Sequence, residues 1–204
     1  MQFSTDTCCR SVASTLTALT LVALAGCDSQ GPDTTPLSVR LKDAPGDVQI
    51  ATVTISEIDL KGSGGTQVLM STPTTVDLLT LASNTATLVQ GFEVPSGTYN
   101  ELRFKITGAC LAVDNGDGTS SIYGTDGYDT TPCGGAATGA LQAPSFAESG
   151  LKVTMAGNSL TITGPEKILL VDFDVSQSFG AAAGGSGAWV MHPVVTGAEV
   201  TAGS

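Results

Sequence analysis

Basic side chains are scarce in this chain: eight Lys and Arg stand against 19 Asp and Glu, for a formal net charge of −11. So acidic a surface repels phosphates, which argues against nucleic acid and anionic lipid head groups as partners. Histidine occurs once, as His192, and one imidazole without nearby cysteines does not make a typical zinc site. No Gly-x-Ser-x-Gly elbow accompanies it, and neither a phosphate-binding glycine loop nor a dinucleotide-binding fingerprint occurs. Aromatics are few as well. One Trp and three Tyr are thin material for the aromatic-lined cleft of a glycosidase.

What is present begins with residues 24–27, Leu-Ala-Gly-Cys, which follow Arg10 and the apolar run Leu16 to Leu24. Residues 11–26 are too few for a comfortable spanning helix, which needs about 20 apolar residues. A positive start, an apolar stretch and small residues before a cut make a leader. An ordinary secretory leader has no need of a cysteine directly after Leu-Ala-Gly, and the segment resembles the signal peptide of a bacterial lipoprotein. The resemblance implies cleavage after Gly26, lipid on Cys27 and a place in the cell envelope, facing the periplasm or the exterior from the inner or outer membrane. Each buried methylene contributes roughly 0.8 kcal/mol, so two or three acyl chains anchor durably. The expected organisation is a leader over 1–26, Cys27 with a polar, Pro-broken tether over 27–36, and one domain over 37–200. Cleavage removes one acid (Asp6) and one base (Arg10), so the charge stays at −11.

Of five cysteines, Cys8 and Cys9 leave with the leader and Cys27 carries lipid. Cys110 and Cys133 remain as an even pair in an oxidising compartment, where a disulfide is expected. Closing that loop is worth roughly 3 kcal/mol in the chain-entropy account. The alternative, a metal or catalytic thiol, has no CxxC or nearby His behind it.

The mature chain reads as short strands. Leu37, Val39 and Leu41 alternate with polar residues, and 43–47 is a turn around Pro45 and Gly46. Ala51, Val53 and Ile55 share one parity and Ile58 and Leu60 the other, a slip that predicts a β-bulge at Ser56-Glu57. Leu79, Ala82, Ala86 and Val89 recur at helical spacing and predict a helix over 79–90, although Ser83, Asn84, Thr85 and Thr87 are poor helix formers. Asn115-Gly116 between apolar runs signals a hairpin. Further strands are expected at 98–107, 152–155, 159–163, 168–175 and 189–195, with irregular loops at 124–140 and 180–187. Many short strands and little helix predict an all-β fold, an antiparallel β-sandwich of prealbumin or immunoglobulin type.

Several segments together resemble a family catalogued as domain of unknown function 4382. They are Leu37 to Asp47, Val53 to Ile58, Val76-Asp77-Leu78-Leu79, Pro95 to Tyr99 leading to Leu102-Arg103, Ala143-Pro144-Ser145 with Gly150-Leu151-Lys152, Val171 to Val175 through Ser178-Phe179, and His192 to Val195. They occur in family order over roughly 37–198. Lys42 and His192 depart from the pattern, and the insert with Cys110 and Cys133 looks particular to a subset. The resemblance implies a secreted or lipid-anchored β-sandwich and brings no activity, cofactor or catalytic residue.

Three candidate sites stand out against plainer explanations. Asp114, Asp117, Asp126 and Asp129 lie among glycines and present enough oxygen for calcium, yet they miss the EF-hand register and suit ordinary turns equally. Asp172 and Asp174 share a strand face, roughly 7 Å apart, a spacing that serves glycoside hydrolysis. The opposite face, Leu169, Val171, Phe173 and Val175, is wholly apolar, so a strand with one wet face explains them too. His192 reads as a partly exposed residue near a strand's end beside Pro193, and Trp189 as core or rim packing rather than a sugar platform. The expectation is a membrane-anchored, non-enzymatic binding or structural module with no catalytic residue, no cofactor unless calcium, and an envelope protein or glycan as partner. The alternatives are a carbohydrate-active hydrolase and a calcium-stabilised adhesion module.

Overall fold

The structure is a computed structural model that describes residues 33–44, 48–143, 146–181 and 187–200. Cys27 and the leader, the turn residues 45–47, Pro144-Ser145 and the loop centre at 182–186 lie outside the described residues. The strands are β1 (Thr34–Ala44), β2 (Val48–Gly62), β3 (Gly65–Met70), β4 (Thr74–Asp77), β5 (Ala86–Pro95), β6 (Gly97–Asp114) and β7 (Ser120–Gly124). They continue as β8 (Gly139–Gln142), β9 (Leu151–Met155), β10 (Leu160–Ile162), β11 (Lys167–Asp174), β12 (Phe179–Ala181), β13 (Trp189–Met191) and β14 (Val195–Val200), with one helical turn, α1 (Val175–Ser178).

Two layers form an all-β sandwich. In the first, β1 lies between β5 and β11, and β14 then β9 follow beyond β11. In the second, β2 and β6 form one long antiparallel pair, with β3 and β4 on the far side of β2. Beside β6 run β10, β9 and β7, and from β7 the sheet continues through β8 and β13 to β12. Strand β9 belongs to both layers, because Leu151–Val153 pair with β6 while Thr154 and Met155 pair with β14.

Alternation accounts for the core between the layers. Leu37, Val39 and Leu41 of β1, Leu169, Val171 and Phe173 of β11, and Leu102 and Phe104 of β6 are all buried in one cluster. A fully buried side chain of this size contributes about 1.5–3 kcal/mol. The slip in β2 is a bulge as expected. Ile55 faces Ile106 and Glu57 faces Lys105, leaving Ser56 as the extra residue, so Ile55 and Ile58 both reach the core. An opposing bulge at Thr107 of β6 compensates it.

Two expectations change. Residues 79–90 form no helix: a single 3-10 turn, Leu78–Leu81, is capped by Asp77 and gives way to β5. Ladder pairing with β1 buries Val89 and Val94, and β-branched Thr85 and Thr87 favour that outcome over a helix. The sheet is also mixed rather than purely antiparallel. β1 runs parallel to β11 over eight residue pairs, Leu37↔Lys167 to Ala44↔Asp174, and β7–β8, β8–β13 and β9–β14 are parallel too. β1 also begins at Thr34, three residues before the expected start of the domain at residue 37.

Candidate functional site

The residue that shapes the outer face of the β2–β6 pair is Gly108. The ring of Tyr128 lies so close that a Cβ at Gly108 would stand 2.1 Å from its Cδ2. The Tyr128 hydroxyl is 2.9 Å from Thr54 Oγ1, which in turn lies 2.8 Å from Thr75 Oγ1. Thr125 holds the loop to β6 from the other side: its N–H donates to the Ala109 carbonyl at 3.0 Å, and its Oγ1 accepts from the Ala109 N–H at 3.1 Å. The expected disulfide completes the attachment. Cys110 of β6 and Cys133, in the 3-10 turn Thr131–Cys133, are bonded, with Cα atoms 6.1 Å apart and both side chains buried.

Fixed in this way, the loop after β7 walls an open groove of about 620 Å³ between itself and β8. Thr125, Asp126, Tyr128, Thr130, Leu141 and Gln142 are among the residues that line it. Thr130 spends its hydroxyl on the Gly135 carbonyl at 2.7 Å. The side chains of Asp126 and Gln142 make no hydrogen bond or ion pair among the described residues. Among the described residues no Lys or Arg lines the groove. A second cavity, about 200 Å³ and apolar, shares its Thr125 and Ala143 wall and is lined by Ile106, Phe146 and Met191.

The four loop aspartates do not converge. Asp114 and Asp117 sit on the β6–β7 turn, where Asp114 accepts from the Gly116 N–H at 2.8 Å and Asp117 from the Thr119 N–H at 2.9 Å. Asp126 and Asp129 follow β7, with its five residues Ser120–Gly124 in between. At about 3.3 Å per residue that strand separates the two pairs by roughly 15 Å, against calcium–oxygen distances of about 2.3–2.6 Å. Thr119 and Thr131, through their hydroxyls and then their N–H groups, hold Asp117 and Asp129 below the usual carboxylate range. Among the described residues no three His, Cys, Asp or Glu side chains gather closely enough to hold a metal ion.

Asp172 and Asp174 are each engaged in the framework. Asp172 pairs with Lys42 at 2.5 Å across the β1–β11 ladder. Asp174 caps α1, accepting from Ser176 Oγ at 2.5 Å and the Gln177 N–H at 3.1 Å, and the Ser176 hydroxyl chiefly lowers its pKa. Neither lines the groove. His192 is exposed and donates its backbone N–H to the Ser178 carbonyl at 2.7 Å. Trp189 is half-buried against the core, its ring centroid 5.6 Å from that of Tyr123.

One constellation went unread in the sequence. Glu57, Asp59 and Lys61 of β2 face Lys105, Arg103 and Glu101 of β6, three successive opposite-charge pairs. Arg103 reaches Glu101 at 2.6 Å, Lys61 reaches Glu101 at 3.6 Å, and Lys105 bonds Glu57 and stands 3.8 Å from Asp59. The Lys105 ammonium holds Glu57 below the usual range. Asp59 is buried; desolvation, then the charge on Glu57, raises its pKa, and its Oδ1 has no hydrogen-bond partner. The signal was there as charges at every second residue on both strands, a pattern visible only once the two strands are known to pair.

No curated protein and no solved structure matches the chain. The family described as Domain of unknown function (DUF4382) matches residues 34–193. That span is most of the chain and contains every strand of the groove, and the protein belongs to the DUF4382 family.

Proposed function

We propose that this protein is a cell-envelope lipoprotein, anchored through Cys27, whose β-sandwich is a non-enzymatic binding module. The observation that carries the reading is the groove behind the disulfide-closed loop. Its volume of about 620 Å³ falls in the roughly 300–1,000 Å³ range of ligand sites. It is held open by a covalent bond, the packing of the Tyr128 ring on Gly108 and two hydrogen bonds between Thr125 and the Ala109 backbone rather than by its own flexible length. Preorganisation of this kind lowers the ordering cost of binding.

The position of the groove suits a tethered module. β1 begins at Thr34, which pairs with Pro95, and β6 starts at Gly97 beside it. Gly108 and Ala109 lie 11 and 12 residues further along β6, or roughly 35 Å at about 3.3 Å per residue. The groove therefore lies towards the far end of β6 from Thr34, where β1 begins.

The test has two readouts on the full-length chain expressed in a bacterium. Labelling with an alkyne analogue of palmitate and pelleting with membranes should both be lost in Cys27→Ala. Ala140→Trp, which fills the groove from an exposed position, should abolish retention of solubilised envelope material by the detergent-purified protein. Label that persists in Cys27→Ala would end the anchoring claim, and retention that survives Ala140→Trp would end the claim for the groove.

A further inference from the structure

The ligand chemistry of the groove can be read from which of its polar groups are already satisfied. Thr125, Thr130 and the Tyr128 hydroxyl are committed to the loop itself. What remains for a ligand is the Asp126 carboxylate, the Gln142 amide and the Tyr128 ring. Carboxylate and ring both favour a cation, the first by charge and the second by its quadrupole. The surrounding chain, at −11, steers cations towards the groove and anions away. The adjoining cavity offers the opposite chemistry, an apolar lining that includes Ile106, Ala109, Phe146 and Met191 and, among the described residues, no ionisable side chain.

We infer that the groove and its neighbouring cavity together take a basic side chain and an adjacent apolar side chain of an extended segment from a partner protein. This rests on the binding-module reading and names the ligand class for the same site. The ammonium or guanidinium lies at Asp126 with its aliphatic stem along Tyr128, and Gln142 hydrogen-bonds the segment's backbone. The apolar side chain enters past Thr125 and Ala143.

The experiment is selection of a random heptapeptide phage library on the full-length, detergent-purified chain, followed by titration of the selected peptides as synthetic, N-acetylated and C-amidated molecules. The expected result is enrichment of peptides carrying Lys or Arg next to a large apolar residue. Asp126→Asn should weaken such a peptide by about tenfold, the scale of one charged hydrogen bond, and salt should shrink that loss. Gln142→Ala should weaken it less. Glu93→Gln, a neutralised acid on exposed β5 outside the groove, should leave affinity unchanged; an equal loss there would mean diffuse attraction to an acidic protein and would overturn the proposal. Both Asp126 and Gln142 are exposed, so unchanged melting temperatures will confirm intact folds. Selected peptides without basic residues, or none at all, would also overturn it. If retention of envelope material still depends on Ala140, the groove then binds another class, such as a glycan, and only the ligand assignment fails. If that retention is absent as well, both readings fall.

Discussion

The two halves of β6 offer the same outer face to solvent and treat it in opposite ways. Glu101 and Lys105 pair with Lys61 and Glu57 of β2, Arg103 pairs with Glu101 on its own strand, and Lys152 of β9 adds a further cation 3.9 Å from Glu101. Past the paired bulges, the residues on that face become Gly108 and Cys110, and a loop covers the strand. The first half has spent its polar groups on itself, so a ligand there would have to displace ion pairs to gain any. The second half is held by packing and a covalent bond, which leaves Asp126 and Gln142 uncommitted. A surface is available for recognition where its framework is stabilised by something other than its recognition groups.

The contrast breaks most severely at the disulfide. Cys110→Ser with Cys133→Ser should cost about 3 kcal/mol by the loop-closure account, measured by denaturant unfolding, and should abolish peptide binding while leaving the ladder half of β6 protected in amide exchange. Equal loss of protection in both halves would show that the loop and the ladder unfold as one unit. A smaller effect is expected from Gly108→Ala. Its methyl would enter the Tyr128 ring, at a cost of about 1–3 kcal/mol for overpacking, and melting should fall together with the hydrogen bond to Thr54. Unchanged stability would mean the ring can lift without loss.

The smallest effect, and the one of opposite sign, belongs to the ladder. Asp59→Asn removes a buried carboxylate whose ionisation is disfavoured, and should stabilise the fold by about 1 kcal/mol near neutral pH. An acid with a raised folded pKa destabilises while it is ionised in both states. The advantage of Asn should therefore shrink as pH falls through the folded pKa of Asp59 and vanish below the unfolded value of about 3.9. Glu57 and Glu101 act in the other sense. Lys105 and Arg103 respectively hold them low, so their stabilisation is present above the unfolded value of about 4.3 and is lost as pH falls further. A mutant less stable at pH 7 would show that the attraction of Lys105 outweighs desolvation at Asp59.

Much of the fold was legible because alternation in β1, β2, β6 and β11 reports burial directly, and the phase slip at Ser56 reports a bulge. The Cys110–Cys133 bond was legible because only two cysteines remain once the expected leader and the expected lipid site at Cys27 are set aside. What failed was what local pattern cannot hold. Residues 79–90 carry helical spacing, but their partner is β1, forty-odd residues earlier, and ladder pairing decided. The parallel β1–β11 pairing joins residues about 130 apart, with no turn signal between them. At the groove, Asp126 was singled out for calcium beside three aspartates, two of which lie at the far end of β7. Tyr128, Gly108 and Gln142 carry no motif; they become a site only when the loop folds over the β2–β6 bulge.

The first strand of the domain is not an edge strand. β1 is paired on both edges, antiparallel to β5 and parallel to β11. A pull applied through the residues before Thr34 would load these two ladders in shear, all rungs at once, instead of peeling an edge strand one hydrogen bond at a time. Force spectroscopy should therefore find the domain mechanically stronger when pulled from its N-terminal end than across β12.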